Sequence, residues 1–124
     1  MSYFIVVTVA LARIPKSKHL LQILDFFEDR EGVCVVVNYC SGGTLGDLAS
    51  KGPVHGDRVL RFVLQIARGL RVLHTNMIIH RDIKPDNIFF ETSDGPLQIG
   101  DFGLVSSPFF VCGLSSCARF AVTR

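Results

Sequence analysis

The clearest hydrophobic pattern lies near the middle of the chain, over residues 57–74. Four arginines there fall mostly between the apolar positions, which recur at helical spacing and are Val59, Phe62, Val63, Ile66, Leu70 and Leu73. Side chains three and four positions apart share one face of a helix. The pattern therefore predicts a long amphipathic helix that packs one face against the core.

Shorter apolar runs predict strands on either side of this helix. Residues 33–37 read VCVVV, a continuous run of mostly β-branched side chains that is typical of a buried strand. The run ends at Ser-Gly-Gly over residues 41–43, after which Thr44 can cap a short helix through Ser50. Farther along, residues 88–90 and 97–99 flank a Ser-Asp-Gly turn at 93–95 and predict a hairpin.

A separate apolar run, YFIVVTVALA, covers residues 3–12. Its final Ala-Leu-Ala is similar to a signal cleavage site, so a signal peptide is one interpretation. No lysine or arginine precedes the run, however, and ten residues are too few to span a bilayer. We therefore expect a buried core element here.

The length and composition of the chain limit its possible functions. The chain has 124 residues, enough for one small domain, and its net charge of +2 indicates neither a nucleic-acid nor a membrane partner. Its 48% hydrophobic content is high for a small domain, which buries a smaller fraction of its surface than a large one. We therefore expect that some apolar area lacks a partner, as in a fragment of a longer protein.

The four cysteines are Cys34, Cys40, Cys112 and Cys117, and none of them forms a C-x-x-C pair. Two disulfides would require a secreted chain, and the spacing disfavours zinc. A reducing setting, cytoplasmic or nuclear, is therefore the expected localisation.

The acidic residues divide the chain into a middle and two flanks. All 11 of them lie between Asp25 and Asp101, so both flanks are free of acid. No internal repeat or low-complexity tract accompanies this shift in composition. The middle is therefore a different kind of sequence from the two ends.

Candidate chemistry is concentrated around the predicted hairpin. Asp82 can orient a nucleophile and accept its proton, and Lys84 offers a mobile positive charge for a phosphate oxygen. Asn87 and Asp101 offer a neutral and a charged oxygen ligand of the kind that suits Mg²⁺. Gly103 permits a sharp turn beside Asp101. These are the parts of a phosphoryl-transfer site.

Residues 80–87, HRDIKPDN, resemble the catalytic loop of the protein kinases, and residues 101–103, DFG, resemble their metal-binding motif. The resemblance implies that Asp82 is the catalytic base and that Lys84, typical of serine/threonine kinases, steadies the transferred phosphoryl group. Asn87 and Asp101 would hold Mg²⁺, and Arg81 would pair with an activation-loop phosphate. His80 and Phe102 are expected to pack in the core.

The resemblance extends upstream to the segment that joins the two kinase lobes. Residues 33–43, VCVVVNYCSGG, are similar to the last small-lobe strand and the hinge. This implies that Val37 is at the gatekeeper position, and that Asn38 and Cys40 offer backbone groups to the adenine of ATP. Ile88 and Phe89 would form the apolar floor below it. Residues 20–29 resemble the strand before the hinge.

Several kinase elements are missing from the sequence. The first lysine is Lys16, the first glutamate is Glu28, and no Gly-rich loop is present. The position of the glutamate that pairs with the small-lobe lysine falls near Thr8, and threonine cannot form that ion pair. Nothing resembling the A-P-E motif follows Val105. We therefore expect a truncated form, from a gene-model artefact or a real product, with little or no activity.

The predicted fold class is α+β, an incomplete kinase-like fold with the end of the small lobe, the hinge and the first part of the helical large lobe. Residues 16–105 form the partial kinase domain, between divergent tails at 1–15 and 106–124. The predicted function is transfer of phosphate from ATP, with Mg²⁺, to serine or threonine of a protein substrate. The alternative is a non-catalytic binding or decoy protein. NIFF and LQIGDFGLV are similar to the NIMA-related kinases and to the stress kinases of a translation initiation factor.

Overall fold

The computed structural model describes residues 3–30, 32–105 and 118–123. The helices and strands follow one another in the order α1 (Tyr3–Arg13), β1 (Ile23–Asp29), β2 (Gly32–Asn38), α2 (Leu45–Ser50), α3 (Asp57–Thr75), β3 (Ile88–Phe90), β4 (Leu97–Ile99) and β5 (Ala118–Thr123). Single-turn 3₁₀ helices occupy Pro85–Asn87 and Phe102–Leu104. The predicted α+β, kinase-like fold class is confirmed.

The first sheet has three strands, in the order β1-β2-β5. β1 and β2 are antiparallel neighbours, and β5 pairs parallel to β2 from Val33↔Ala118 to Asn38↔Thr123. The predicted strand at 33–37 is confirmed, with Val33, Val35 and Val37 buried and the residues between them half-buried. One face of the sheet therefore lies on the core.

The apolar run at residues 3–12 forms most of helix α1, which packs against β1 and β2. Thr8 and Leu11 are buried, as expected of a core element. The secondary-structure type was not predicted, because a run that is apolar throughout has no periodicity to distinguish helix from strand. In the part of the chain that the structure describes, no helix is long and apolar enough to cross a membrane.

The boundaries predicted at residues 15/16 and 105/106 stay predictions. Both flanks nevertheless supply elements to the described fold, since α1 lies in the first and β5 in the second. Cys34 and Cys40 are free thiols, whereas Cys112 and Cys117 lie outside the described residues.

The predicted helix from Thr44 to Ser50 is confirmed as α2. The Thr44 side chain accepts a hydrogen bond from the backbone N–H of Asp47, and the Asp47 carboxylate accepts one from the N–H of Thr44. This reciprocal pair satisfies backbone donors that the first helical turn leaves without partners. The capping residues in the local sequence therefore predict where α2 begins.

Helix α3 covers the predicted residues 57–74 and ends one residue later. Gly69 and Leu73 are buried, and Phe62, Ile66 and Leu70 pack partly buried against the core. The prediction was wrong for Val59 and Val63, which are exposed. Val59 lies in the first turn of the helix, and Val63 is rotated about 100° from Phe62 around the helix axis.

The predicted hairpin is confirmed as β3 and β4, with Ile88 opposite Ile99. Other segments bond to both of its outer edges. On the β4 side, Leu21 N–H donates to Ile99 O (2.8 Å), and Ile99 N–H donates to His19 O (3.0 Å). On the β3 side, Phe90 N–H donates to Gly43 O at 2.9 Å. The hairpin is therefore the centre of a small four-segment sheet.

Gly69 provides a test of how closely α3 packs on this sheet. A Cβ at this position would lie 2.6 Å from His19 O and 2.9 Å from Ile99 Cδ1. Alanine normally favours a helix interior over glycine by about 1 kcal/mol. We expect the opposite sign here: overpacking in Gly69→Ala should lower the free energy of unfolding by about 1–3 kcal/mol, as measured by urea denaturation.

The control for this experiment is Arg68→Ala, one residue earlier on the exposed side of α3. It should change the free energy of unfolding by no more than about 0.5 kcal/mol. A more stable Gly69→Ala variant would show that α3 does not approach the sheet this closely.

Candidate functional site

Asp82, Lys84 and Asn87 form one hydrogen-bonded group in the loop after α3. Asp82 Oδ2 accepts from Lys84 Nζ and from Asn87 Nδ2, both at 2.9 Å, and Asn87 Nδ2 also donates to the backbone O of Asp82 at 2.8 Å. The 3₁₀ turn that starts at Pro85 brings Asn87 back toward Asp82, with Asn87 N–H bonded to Lys84 O at 3.0 Å. The structure thus brings three of the predicted site residues together.

The charges in this group stabilise one another. The hydrogen bond from Lys84 lowers the pKa of Asp82 below its ordinary value, helped by the hydrogen bond from Asn87. The same contact raises the pKa of Lys84. Both side chains are therefore charged at neutral pH, and the free carboxylate is a weak base. It is better suited to orienting a hydroxyl than to removing a proton before bond formation.

His80 connects this loop to the segment that precedes Asp101. Its Nε2 lies 2.8 Å from Gly100 O, and its Nδ1 lies 3.3 Å from the backbone N of Asp82. A carbonyl can only accept and an amide N–H can only donate, so Nε2 carries the proton and the ring is neutral. Burial lowers the pKa of His80, which favours the same neutral form.

The prediction that His80 and Phe102 pack in the core is confirmed. They are 1% and 4% exposed, and their rings meet edge to face with centroids 5.5 Å apart. Arg81, between His80 and Asp82, adopts a left-handed backbone conformation with φ of 66°. Non-glycine residues rarely adopt that conformation, which is found preferentially at functional sites.

The register of the hairpin places Asn87 and Asp101 at the same open end. Gly100 N–H donates to Asn87 O at 2.9 Å, so Asp101 follows the residue directly opposite Asn87. Asp101 is itself left-handed, with φ of 55°, and its Oδ1 accepts from Gly103 N–H at 3.3 Å. The predicted turn at Gly103 is present as the 3₁₀ helix from Phe102.

These two residues fit the predicted magnesium site. Asn87 Nδ2 donates to two oxygens of Asp82, which fixes the orientation of the amide and leaves its carbonyl oxygen for another partner. That oxygen and the Asp101 carboxylate are hard ligands, as Mg²⁺ prefers. Their role as metal ligands stays a prediction.

A cavity of about 270 Å³ lies between the first sheet and the hairpin. It is lined by Leu21, Val37, Asn38, Tyr39, Cys40, Phe89 and Asp101. Four of the five residues predicted at the ATP pocket thus line one cavity together with a predicted metal ligand, namely Val37, Asn38, Cys40 and Phe89. Ile88 is buried in the core instead, where it pairs with Ile99. The predicted role in nucleotide binding stays a prediction.

Sequence reasoning missed Leu21 and Gln98. Leu21 lines the cavity because its backbone is bonded to β4, a pairing that no local pattern indicates. Gln98 is buried at 6% exposure, and its Oε1 accepts a hydrogen bond from Cys40 Sγ at 3.5 Å. A single polar residue between Leu97 and Ile99 was the available signal. Thr8, where the ion-pairing glutamate was expected, is buried in α1.

The pairing of Asp82 with Lys84 can be tested by titration. In Lys84→Met the largest cause of the low pKa of Asp82 is removed, so we expect that pKa to rise toward 3.8. Carboxyl carbon shifts followed by NMR between about pH 2 and 6 would measure it. Because the folded-state pKa is depressed, the pair stabilises the fold above pH 3.8, and the contribution is lost as pH falls through the lower folded-state value.

Asp47 is an internal control in the same titration. Its pKa is lowered by hydrogen bonds from Thr44 rather than by Lys84, so it should not move in the variant. An unchanged pKa of Asp82 would show that the contact with Lys84 does not persist in solution.

Comparison with known proteins identifies the family of this chain. The family described as protein kinase domain matches residues 8–108. A calcium/calmodulin-dependent serine/threonine-protein kinase from Malus domestica is 43% identical over 91 residues, 71% of this chain and 22% of that protein. Serine/threonine-protein kinase Nek1 from Mus musculus is 38% identical over 99 residues, 77% of this chain and 8% of that protein.

Serine/threonine-protein kinase PLK2 from Rattus norvegicus is 36% identical over 99 residues, which are 79% of this chain and 14% of that protein. The chain thus spans less than a quarter of the length of each of these relatives. The family match covers most of the chain, including the Asp82 loop, the cavity residues and the Asp101 turn. The chain therefore belongs to the protein kinase family, and its relatives are serine/threonine kinases.

Proposed function

We propose that these residues are the nucleotide-binding and phosphoryl-transfer region of a serine/threonine protein kinase, which transfers the γ-phosphate of ATP to a protein hydroxyl. One observation carries the proposal. Phe89 of the hairpin lines the cavity. The hairpin begins directly after Asn87, whose side chain is bonded to Asp82. Two residues after its second strand comes Asp101, which lines the same cavity. The groups that would contact a nucleotide base, a metal ion and a hydroxyl are thus held together around one hairpin.

The charges of the loop support distinct roles in this reaction. Lys84 and Asn87 both bond to Oδ2 of Asp82, so Oδ1 would accept the substrate hydroxyl and orient its oxygen toward the γ-phosphorus. As the new O–P bond forms and ADP leaves, the hydroxyl proton passes to Asp82. Lys84 supplies positive charge beside the transferred group. Mg²⁺ held by Asn87 and Asp101 would neutralise phosphate charge.

We further propose that the 124-residue chain, taken alone, has little or no phosphotransfer activity. Active kinases pair a small-lobe lysine with a glutamate on the following helix, and both must be in place. Here Thr8 is buried in α1 at the expected position of the glutamate, and no lysine precedes Lys16. Binding without catalysis is therefore the alternative function for the chain as it stands.

Nucleotide binding by the chain is the direct test. Titration with Mg²⁺ and a non-hydrolysable ATP analogue, followed by NMR, should shift the resonances of Val37, Asn38, Cys40 and Phe89. Asp101→Asn should weaken Mg²⁺-dependent binding by about 10- to 150-fold if the lost interaction is comparable with a hydrogen bond to a charged group, which contributes about 1.5–3 kcal/mol. Asp94→Asn removes the same charge from the exposed turn of the same hairpin and should change nothing. Equal losses in both variants would contradict the metal site.

The catalytic role of Asp82 is tested in the protein as it occurs in the cell. An immunoblot with an antibody against residues 43–53 would show whether these residues occur in a protein larger than 13.7 kDa. In such a protein, Asp82→Ala should lower kcat about 10²- to 10⁴-fold, the usual contribution of a general base. Undiminished phosphotransfer in Asp82→Ala would overturn the assigned role.

A further inference from the structure

Cys40 and Gln98 connect two parts of the molecule that are 58 residues apart in sequence. Cys40 lies just after β2 and lines the cavity, whereas Gln98 is the middle residue of β4. The Cys40 thiol donates to Gln98 Oε1 at 3.5 Å, within the range for a sulfur donor. Gln98 is only 6% exposed, so the geometry of its amide is set by protein partners more than by bulk water.

Only the neutral thiol can donate this hydrogen bond. Burial, and then the negative charge of Glu91, raise the pKa of Cys40 above its ordinary value. The side chain therefore stays protonated at neutral pH and keeps its role as donor. A thiolate would instead face the amide oxygen of Gln98 with two acceptors and no proton.

The contact reaches the strand that leads to the predicted metal ligand. Gln98 is directly opposite Phe89 in the hairpin, and cross-strand partners share a face, so Gln98 lies on the side of the cavity floor. Three residues later the chain reaches Asp101. Other hydrogen bonds between the segment after β2 and the hairpin go to Phe90 and Glu91, on the β3 side.

We propose that Gln98 is a positioning residue: by holding Cys40, it fixes the base-binding side of the cavity at a set distance from Asp101. The inference rests on the proposed nucleotide-binding function. It explains why an amide is placed between two core residues of β4, where leucine or valine would otherwise satisfy the strand. Its consequence is that this side-chain hydrogen bond, on the β4 side of the hairpin, contributes to the coupling between base binding and metal-phosphate binding.

The coupling is tested with two probes, adenosine and the Mg²⁺ complex of a non-hydrolysable ATP analogue. Gln98→Leu should weaken binding of the nucleotide complex about fivefold, the value of one typical hydrogen bond, and binding of adenosine by less than about twofold. Cys40→Ala should show the same difference between the two probes. The double variant should lose no more nucleotide affinity than either single variant. Cys40→Ser, whose hydroxyl can still donate to Gln98, should have the nucleotide affinity of the wild type. Equal losses for both probes, or additive losses in the double variant, would overturn the proposal.

Cys34→Ala is the matched control, because Cys34 is a half-buried free thiol in β2 that is not among the residues lining the cavity. A wild-type chain that binds neither probe would refute the proposed function, and the contact itself is then tested without ligand. In Gln98→Leu, loss of the acceptor should release the Cys40 side chain and accelerate its alkylation by iodoacetamide about threefold relative to Cys34, as followed by peptide mass spectrometry. An unchanged relative rate would overturn the contact.

Discussion

Backbone hydrogen bonding along both outer edges of the β3–β4 hairpin is the interaction on which the rest of the structure depends. Strands of three residues are too short to be stable as an isolated pair. Residues 19–21 complete the β4 edge and residues 42–44 complete the β3 edge. The first of these segments leads into β1 and the second into α2, so the sheet and the helices are oriented by the same hairpin.

The open end of that hairpin carries the chemistry, and its charges are held by local partners rather than by burial. Asp82 and Lys84 remain accessible to solvent, with side chains 26% and 49% exposed. Such a pair adds little to stability, because surface ion pairs contribute weakly. Its effect is on orientation and protonation state. The neutral ring of His80, buried beneath it, holds the loop to Gly100 without introducing a further charge.

Elements with local signals were predictable from the sequence. The capping pattern at Thr44 gave the start of α2, the apolar periodicity gave α3, and the turn at residues 93–95 gave the hairpin. Features that depend on distant segments were not predictable. The run that forms α1 has no hydrophobic periodicity that would indicate a helix. Strand β5 lies in the acid-free C-terminal flank, for which the sequence pattern predicts no strand, and its pairing with β2 joins distant segments. The contact between Cys40 and Gln98 exists only after the fold forms.

The same distinction between local and distant signals applies to the candidate site. The loop motif predicted which side chains of residues 80–87 and 101–103 would carry chemistry, because their spacing is local. That Val37, Cys40 and Phe89 line one cavity followed from the resemblance alone, since side-chain direction in a continuous apolar run is not evident from the sequence. Exposure of Val59 and Val63 depends on where the core ends, which a helical periodicity does not determine.

The parallel pairing of β5 with β2 has a consequence for the order of folding. It joins residues 33–38 to residues 118–123, across most of the chain, whereas the β1–β2 and β3–β4 pairs are local. The entropic cost of closing a long loop must be overcome before such a distant contact contributes any stabilising free energy, so high contact order slows folding. The hairpins and α3 can therefore form early, and β5 should be the last strand to dock and the first to exchange its amide hydrogens with solvent.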